Sequence, residues 1–216
     1  MDGSDKIFAP LMGQPLVAYC IDMLNDAPEV GSIVLVLSSH NLEEGRRLVQ
    51  SRDWAKVKET CVGGERRQDS VRCGMDRLLD SEWIIVHDGA RPFIDVDMIG
   101  RGLKEALGTG AAVAAIPVND TIKSADADML VTQTVPRDGL WAIQTPQVFR
   151  RELLVDAHSR VRDDVTDDAT MVERAGGRVR LFMGSYHNLK VTARDDLLLA
   201  EGILAVRSSR GPSPAR

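Results

Sequence analysis

The feature that most constrains the fold is an apolar run that ends abruptly at polar and small residues. The run from Trp83 to Val86 is followed by the residues HDGARP. Such a run predicts a strand buried on both faces, in an α/β fold with a mostly parallel sheet. Open α/β sheets bind ligands beyond the carboxyl ends of their strands, so Asp88 could bind a ribose hydroxyl or a metal-bound phosphate. Gly89 allows close approach to the backbone, and Arg91 can bind an anion. A strand that simply ends in a capped turn remains the alternative, because Asp-Gly is common in turns.

Composition narrows the class of protein. The chain has 216 residues, enough for one domain with a sizeable core. Its net charge of -5 argues against general nucleic-acid binding. No apolar run has transmembrane length and the N-terminus lacks a signal-peptide pattern, so we expect no membrane association. The three cysteines lack metal-type spacing and the four histidines are scattered, which predicts reduced thiols, a cytoplasmic location and no zinc cluster.

Helical and strand patterns alternate along the chain, as in α/β proteins. We therefore expect one Rossmann-like domain over residues 1–206, with helices flanking the sheet, and a disordered tail over 207–216. Pro15 suits a first helical position, and Asn41 and Asp95 suit helix N-caps. Thr192 and Asp195 have capping-box spacing before the last helix. The predicted strands are 32–37, 56–62, 83–86, 111–116 and 178–183, and the predicted helices are 15–26, one after 41, 68–79, 95–107, 150–161, 166–175 and 192–206.

The pattern changes between residues 117 and 145, where the chain is polar, alternating and rich in turn residues. Residues 121–123 and 131–135 predict the two strands of a hairpin arm. A long two-stranded arm is not stable alone in water, so it must pack against another surface. A second copy of the chain is the partner we expect, which predicts a homodimer through the arm.

Further polar groups fall beside turns and strand ends. Gly63 and Gly64 precede a helix at whose start Ser70 lies near free N–H groups, although a glycine turn with solvated charges explains them equally well. Lys190 could stabilise phosphate charge, but a lysine there more commonly extends into solvent. The segment Thr166-Asp167-Asp168 is adequately explained as a helix N-cap. Together the cations suit a substrate rich in phosphates, as nucleotidyl transfer requires; they are Lys6, Arg67, Arg91, Lys123, Arg137 and Lys190.

Eight segments in order resemble one enzyme family, the 2-C-methyl-D-erythritol 4-phosphate cytidylyltransferases of the non-mevalonate isoprenoid pathway. The resemblance extends from Met1 to about Val206, and although each motif is weak alone, eight in register are specific. The segments are Asp5-Lys6, Gly63-Gly64 through Ser70-Val71, VHDGARP (86–92), PVNDTIK (117–123), RDGLW (137–141), TPQ (145–147), TDD (166–168) and NLKVT (188–192).

The resemblance implies CMP transfer from CTP to the alcohol phosphate by direct attack on the α-phosphorus, with release of pyrophosphate. It implies that Lys6 and Lys190 stabilise the phosphate charge, that Asp88 also lies near Mg²⁺, and that part of the substrate pocket comes from the arm of a second subunit. The implied nucleotide contacts are Gly64, Glu65, Ser70, Asp88 and Gly89. The implied contacts to the methylerythritol phosphate are Arg91, Thr121, Arg137, Thr145 and Thr166.

The N-terminus departs from the family pattern. Members begin with an apolar strand and a loop of the form Ala-Ala-Gly-x-Gly-x-Arg-Met, and Met1 stands where that loop ends. We therefore expect this chain to lack a strand central to the sheet, with exposed neighbouring edges, and to be weakly active. Two alternatives stay open: a cytidylyltransferase for another alditol phosphate such as ribitol 5-phosphate, and a non-catalytic dimeric nucleotide-binding protein.

Overall fold

The computed structural model describes residues 6–209, with side chains through 207. A short 3₁₀ helix (Lys6–Phe8) opens this range. The helices are α1 (Leu16–Asp26), α2 (Leu42–Gln50), α3 (Arg67–Met75), α4 (Val96–Ala106), α5 (Arg151–Arg160), α6 (Asp168–Arg174) and α7 (Arg194–Ser209). The strands are β1 (Pro10–Leu11), β2 (Gln14–Pro15), β3 (Ile33–Leu37), β4 (Val57–Val62), β5 (Trp83–Val86), β6 (Ala111–Pro117), β7 (Ile122–Ala125), β8 (Val131–Val135), β9 (Trp141–Arg150) and β10 (Arg180–Met183).

The larger sheet has four strands in the order β10-β6-β9-β5. β10 pairs with β6 in parallel, whereas β9 is antiparallel to both β6 and β5. The α/β class is confirmed, and three of these four strands run in one direction. The ten-residue β9 is absent from the strands that the sequence predicts, because its centre is Gln144-Thr145-Pro146-Gln147. Gln144, Thr145 and Gln147 are nevertheless buried. The sequence predicted a mostly parallel sheet, and the antiparallel β9 makes this sheet mixed.

A second, parallel sheet consists of β3 and β4. In the described part of the chain no strand ladder joins β3 to β5. An apolar cleft of about 270 Å³ lies between them, lined by Val34 and Val36 of β3 and by Ile84 and Val86 of β5. Ile7 of the 3₁₀ helix also borders this cleft. The two apolar strands thus face each other without exchanging backbone hydrogen bonds.

Helix α4 packs closely against the larger sheet because the residues between them are small. Ala112 and Ala114 of β6 are fully buried in one cluster with Met98 of α4. A Cβ atom on Gly102 would lie 2.9 Å from Val148 Cγ2, so the approach of helix to sheet leaves no room for a side chain there. This contact holds α4 against β6 and β9.

The predicted hairpin is present. β7 and β8 pair antiparallel, with Ile122 opposite Val135. The tip exposes apolar side chains: Met129 is 82% and Leu130 65% exposed. A single chain therefore leaves apolar surface on the arm uncovered.

Several predicted boundaries need correction. The N-cap of α6 is Asp167, whose side chain accepts a hydrogen bond from the Thr170 N–H, and the helix starts at Asp168 rather than at Thr166. Asp196, rather than Asp195, accepts from the Thr192 and Ala193 N–H groups before α7. That helix continues to Ser209, so residues 207–209 are not a disordered tail, and residues 210–216 lie outside the described range. None of the described helices is long and apolar enough to cross a membrane.

Candidate active site

The centre of the site is the Asp88 carboxylate, just beyond the end of β5. Lys190 Nζ lies 2.9 Å from Asp88 Oδ2, Arg67 Nε lies 3.5 Å from Oδ1, and Arg91 Nε lies 3.8 Å from Oδ2. Burial opposes ionisation of Asp88, but the hydrogen bond from Lys190 and the charge of Arg67 outweigh it and lower its pKa. Three cations therefore surround one ionised carboxylate, which is an arrangement suited to binding phosphates.

Arg67 links this centre to α6. Its Nη1 atom lies 2.5 Å from Oδ2 of Asp168, a residue with no exposed surface. Burial opposes the charge of Arg67, but Asp168 and Asp88 outweigh it and raise its pKa. The sequence marked Arg67 only as one of several cations beside turns and Asp168 only as part of a helix N-cap. The neighbouring Arg66 pairs with Asp69 instead, and a sequence pattern does not show which arginine turns inward.

A pocket of about 330 Å³ opens beside these groups. It brings together five of the residues that the sequence assigned to the site. Asp167, Thr170 and Glu173 add polar groups that the sequence did not assign, and Ile143 and Leu181 add apolar surface. The five assigned residues are Asp88, Arg91, Thr145, Thr166 and Lys190.

The loop that carries Lys190 is held by Asn188, which is fully buried. The Asn188 side-chain amide donates to the Thr145 carbonyl at 2.8 Å, and the Asn188 carbonyl accepts from Arg91 Nη1 at 2.8 Å. The Val191 N–H donates to the Ala90 carbonyl at 2.8 Å. Asn188 belongs to the motif NLKVT, but the sequence did not assign it a role. It connects three of the predicted site segments.

His87 lies beneath the turn that follows β5. Its Nδ1 atom is 3.0 Å from Thr145 Oγ1, and its Nε2 atom is 3.0 Å from the Arg91 carbonyl oxygen. Burial lowers the pKa of His87 to about 4, so the ring is neutral near pH 7. The Cys20 thiol donates to the same Arg91 carbonyl at 3.3 Å, and burial raises its pKa to about 12. Two uncharged groups thus hold the turn between Asp88 and Arg91.

The predicted nucleotide-binding residues lie toward the cleft between β3 and β5. Ser70, Asp88 and Gly89 all line it. Gly64 donates its N–H to Ser70 Oγ at 3.2 Å, and a Cβ atom on Gly64 would lie 2.3 Å from Asp69 Cβ. The loop therefore needs glycine at 64, while Glu65 is exposed and extends toward solvent.

Besides Gly64 and Glu65, three predicted site residues line neither the pocket nor the cleft in a single chain. Lys6 is exposed in the first 3₁₀ helix, where its charge acts on Asp196. Thr121 is exposed immediately before β7. Arg137 is exposed after β8, where it donates to the Asn119 carbonyl. Their roles stay predictions.

Comparison with known proteins identifies relatives along nearly the whole chain. Residues 1–206 match the family model of 2-C-methyl-D-erythritol 4-phosphate cytidylyltransferase (IspD). The protein of that name from Dehalococcoides mccartyi strain CBDB1 is 45% identical over 204 residues, covering 94% of this chain and 90% of the relative. The one from Geobacillus kaustophilus is 39% identical over 208 residues, covering 95% and 91%.

Solved structures agree with these relatives. The 4-diphosphocytidyl-2C-methyl-D-erythritol synthase of Anaerococcus prevotii superposes with a TM-score of 0.84 at 26% identity, covering 95% of this chain and 92% of that one. The 2-C-methyl-D-erythritol 4-phosphate cytidylyltransferase of Thermus thermophilus superposes with a TM-score of 0.79 at 30% identity, covering 93% and 94%. Fold and sequence similarity thus agree, and the chain belongs to the 2-C-methyl-D-erythritol 4-phosphate cytidylyltransferase family of nucleotidyltransferases.

Proposed function

We propose that this chain transfers CMP from CTP to 2-C-methyl-D-erythritol 4-phosphate and releases pyrophosphate. The observation that carries the proposal is the convergence of Arg67, Arg91 and Lys190 on Asp88 at a polar pocket, in a chain of this family. Nucleotidyl transfer joins two polyanions, so it needs cations positioned around the reacting phosphates more than it needs a covalent nucleophile. The alternative substrate ribitol 5-phosphate is not favoured by the relatives found.

The residues fit direct attack of the substrate phosphate on the α-phosphorus of CTP. Lys190 is already oriented by Asp88 and would neutralise charge that builds up in the transition state, with Lys6 in the same role. Asp88 and Gly89 would contact the ribose, while the cytosine and the rest of the nucleotide would be held by Gly64, Glu65 and Ser70. Arg91, Thr145 and Thr166 line the pocket that would hold the alcohol phosphate.

A magnesium ion that enters with the triphosphate fits the residues present. In the described part of the chain, no group of three or more acidic, histidine or cysteine side chains could form a metal cage. Mg²⁺ in nucleotide enzymes is commonly bound by one or two carboxylates together with substrate phosphates. Asp88 would be that carboxylate, and the metal would neutralise charge on the triphosphate.

The arm supports a homodimer. Met129, Leu130 and Val131 expose apolar surface that a second copy would cover. Thr121 and Arg137 lie at the base of this arm, so in the dimer they would reach the substrate pocket of the partner. The three cysteines are free thiols, two of them buried, which supports a reducing, cytoplasmic location.

A pyrophosphate-release assay with Mg²⁺ and CTP tests the function. We expect release with methylerythritol phosphate and at least tenfold less with ribitol 5-phosphate, with the Lys190→Ala variant as the inactive control. Faster release with ribitol 5-phosphate would move the assignment to that substrate. CTP binding by calorimetry without release from either alcohol phosphate would favour the non-catalytic alternative.

Mixing two inactive variants tests the shared pocket. If Arg137 serves the partner's site, heterodimers of Arg137→Ala with Lys190→Ala contain one site with both groups. We expect these heterodimers to recover part of the parental activity, whereas each variant alone stays inactive. Sedimentation as a monomer, or no recovery in demonstrated heterodimers, would contradict the arrangement.

A further inference from the structure

The pairing of β5 with β9 ends just before the site, and side chains continue the connection. The last pair is Val86 with Gln147. The next residue of β9 is Pro146, which has no N–H to donate. Beyond it the Asp88 N–H donates to the Thr145 side-chain oxygen at 3.0 Å. His87, between Val86 and Asp88, contacts both Thr145 and the Arg91 carbonyl.

The proton positions in this network follow from what each group can do. A carbonyl oxygen only accepts, so the Nε2 atom of His87 must carry the proton that the Arg91 carbonyl receives. In a neutral imidazole the other nitrogen then has no proton, so Nδ1 accepts. The Thr145 hydroxyl is therefore the donor to Nδ1, and its oxygen accepts from the Asp88 N–H.

We propose that His87, as the Nε2–H tautomer, is a positioning residue that fixes the Thr145 hydroxyl as a hydrogen-bond acceptor toward the substrate pocket. The Thr145 hydroxyl donates its single proton to His87 and accepts the Asp88 N–H with one lone pair of its oxygen. One lone pair remains for a ligand. An anionic phosphate oxygen cannot bind there, because it offers no proton. A hydroxyl group of the sugar alcohol can.

This inference rests on the proposed function for the identity of the ligand, and it refines the role of Thr145 within that function. The phosphate of the substrate would lie with the cations around Asp88, whose charges suit it. The polyol would place a hydroxyl on Thr145. The pocket would thus separate the two ends of an alditol phosphate by their hydrogen-bonding chemistry.

The tautomer can be tested without substrate. Nitrogen-15 NMR of histidine-labelled protein at neutral pH, with the His87 signals assigned by their loss in His87→Gln, reports which ring nitrogen carries the proton. We expect a protonated Nε2 and an unprotonated Nδ1. A protonated Nδ1 would overturn the proposal, whether or not the protein turns over methylerythritol phosphate. Loss of the proposed function would leave this readout intact, so the two failures are distinguishable.

Three substitutions separate positioning from packing. His87→Asn keeps an acceptor near the Nδ1 position, His87→Gln keeps a donor near the Nε2 position, and His87→Phe keeps ring volume with neither. We expect KM for the alcohol phosphate to stay within about threefold for His87→Asn and to rise about tenfold for His87→Gln and His87→Phe. A tenfold change corresponds to about 1.4 kcal/mol, which is within the range for the loss of one hydrogen bond. In all three, kcat should change less than KM.

The matched control is Cys20→Ala, which removes a donor to the same Arg91 carbonyl without contacting Thr145. We expect its KM to change less than about threefold. If KM followed side-chain volume, with Phe least affected, or followed melting temperature across all four variants, His87 would have only a packing role and the proposal would be wrong.

Discussion

The two halves of the site differ in how firmly the fold holds them. The half that carries Arg91, Thr145 and Lys190 rests on the four-stranded sheet and is joined by short hydrogen bonds through the buried Asn188. The half that carries Lys6, Gly64 and Glu65 is exposed beside the cleft between β3 and β5. One half is therefore preorganised by the larger sheet, and the other depends on contacts that this sheet does not supply.

The strands beneath the two halves explain this difference. Residues 111–115 of β6 are all buried, and α4 approaches them closely. In β3, by contrast, burial alternates, and the partly exposed Val34 and Val36 face the cleft. β6 is thus buried along both faces, whereas β3 borders the cleft on one face. In the part of the chain that the structure describes, β6 pairs with a strand on each edge and β3 pairs only with β4.

The largest expected effect comes from placing the same charge in each region. Ala114→Asp would bury an unpaired carboxylate and should destabilise the protein by more than about 4 kcal/mol. Val34→Asp faces the cleft and should cost about 1–2 kcal/mol, since water can reach the carboxylate. Urea unfolding measures both. Equal losses would show that the cleft is as tightly packed as the sheet and would remove the contrast.

The lysines compare the two halves by activity. Lys190→Ala and Lys6→Ala should each lower kcat about 100-fold, because both are assigned to charge that develops in the transition state. Turnover at saturating CTP and alcohol phosphate is the measurement. If kcat stays within about threefold for both variants, the assignments are wrong. A large effect for Lys190 alone would show that only the preorganised half carries catalysis.

An added strand should narrow the difference between the halves. An apolar strand and glycine-rich loop of about 20 residues, fused ahead of Met1, could pair with the facing edges of β3 and β5 and supply phosphate-binding N–H groups. Burial of its side chains should raise Tm by several degrees, at roughly 25 cal/mol per Å², and activity should increase. The control extension carries prolines at alternate strand positions, which removes the backbone donors. Equal melting curves for the two extensions would argue against strand pairing.

The smallest expected effect concerns His87 and pH. Its pKa falls from 6.5 to about 4 on folding. Between these values the unfolded chain binds the proton and the folded chain does not, so this group makes unfolding free energy rise with pH over that window. Above pH 6.5 its contribution is complete. His87→Asn should therefore show a shallower slope than the parent between pH 4 and 6.5. Identical slopes in urea titrations would mean that His87 is not protected from protonation.

Sequence patterns predicted the parts of this molecule that depend on local chemistry. The strand ending at Val86, the hairpin arm and the cap at Asp95 follow from apolar runs, alternation and capping preference, and the structure has all three. Asp88 and Lys190 are about one hundred residues apart in the sequence, yet their side chains lie 2.9 Å apart in the fold. No local sequence pattern predicts this contact, because the two residues belong to different segments of the chain.

The parts that were missed depend on tertiary contacts. The centre of β9 is polar in sequence and therefore does not resemble a buried strand. It can be buried because Gln144, Thr145 and Gln147 each have a partner that only the folded chain provides, such as Ser185 for Gln144. Arg67 resembles its neighbour Arg66 in sequence, and only the position of Asp168 on α6 draws it inward. Buried polar groups are stabilised by specific hydrogen-bond partners, and the hydrophobic periodicity of a sequence does not indicate which residues these partners are.

The side chain of Gln147 has a mechanical consequence. Its amide is buried in β9, donates to Asp167 at 2.8 Å and accepts from the Ala169 N–H at 3.3 Å. The start of α6, which lines the pocket through Asp167 and Thr170, is thereby hydrogen-bonded to the sheet. Any widening of the pocket to admit a substrate must then come from segments other than the start of α6, and exchange of the backbone amide hydrogen of Ala169 should be slow.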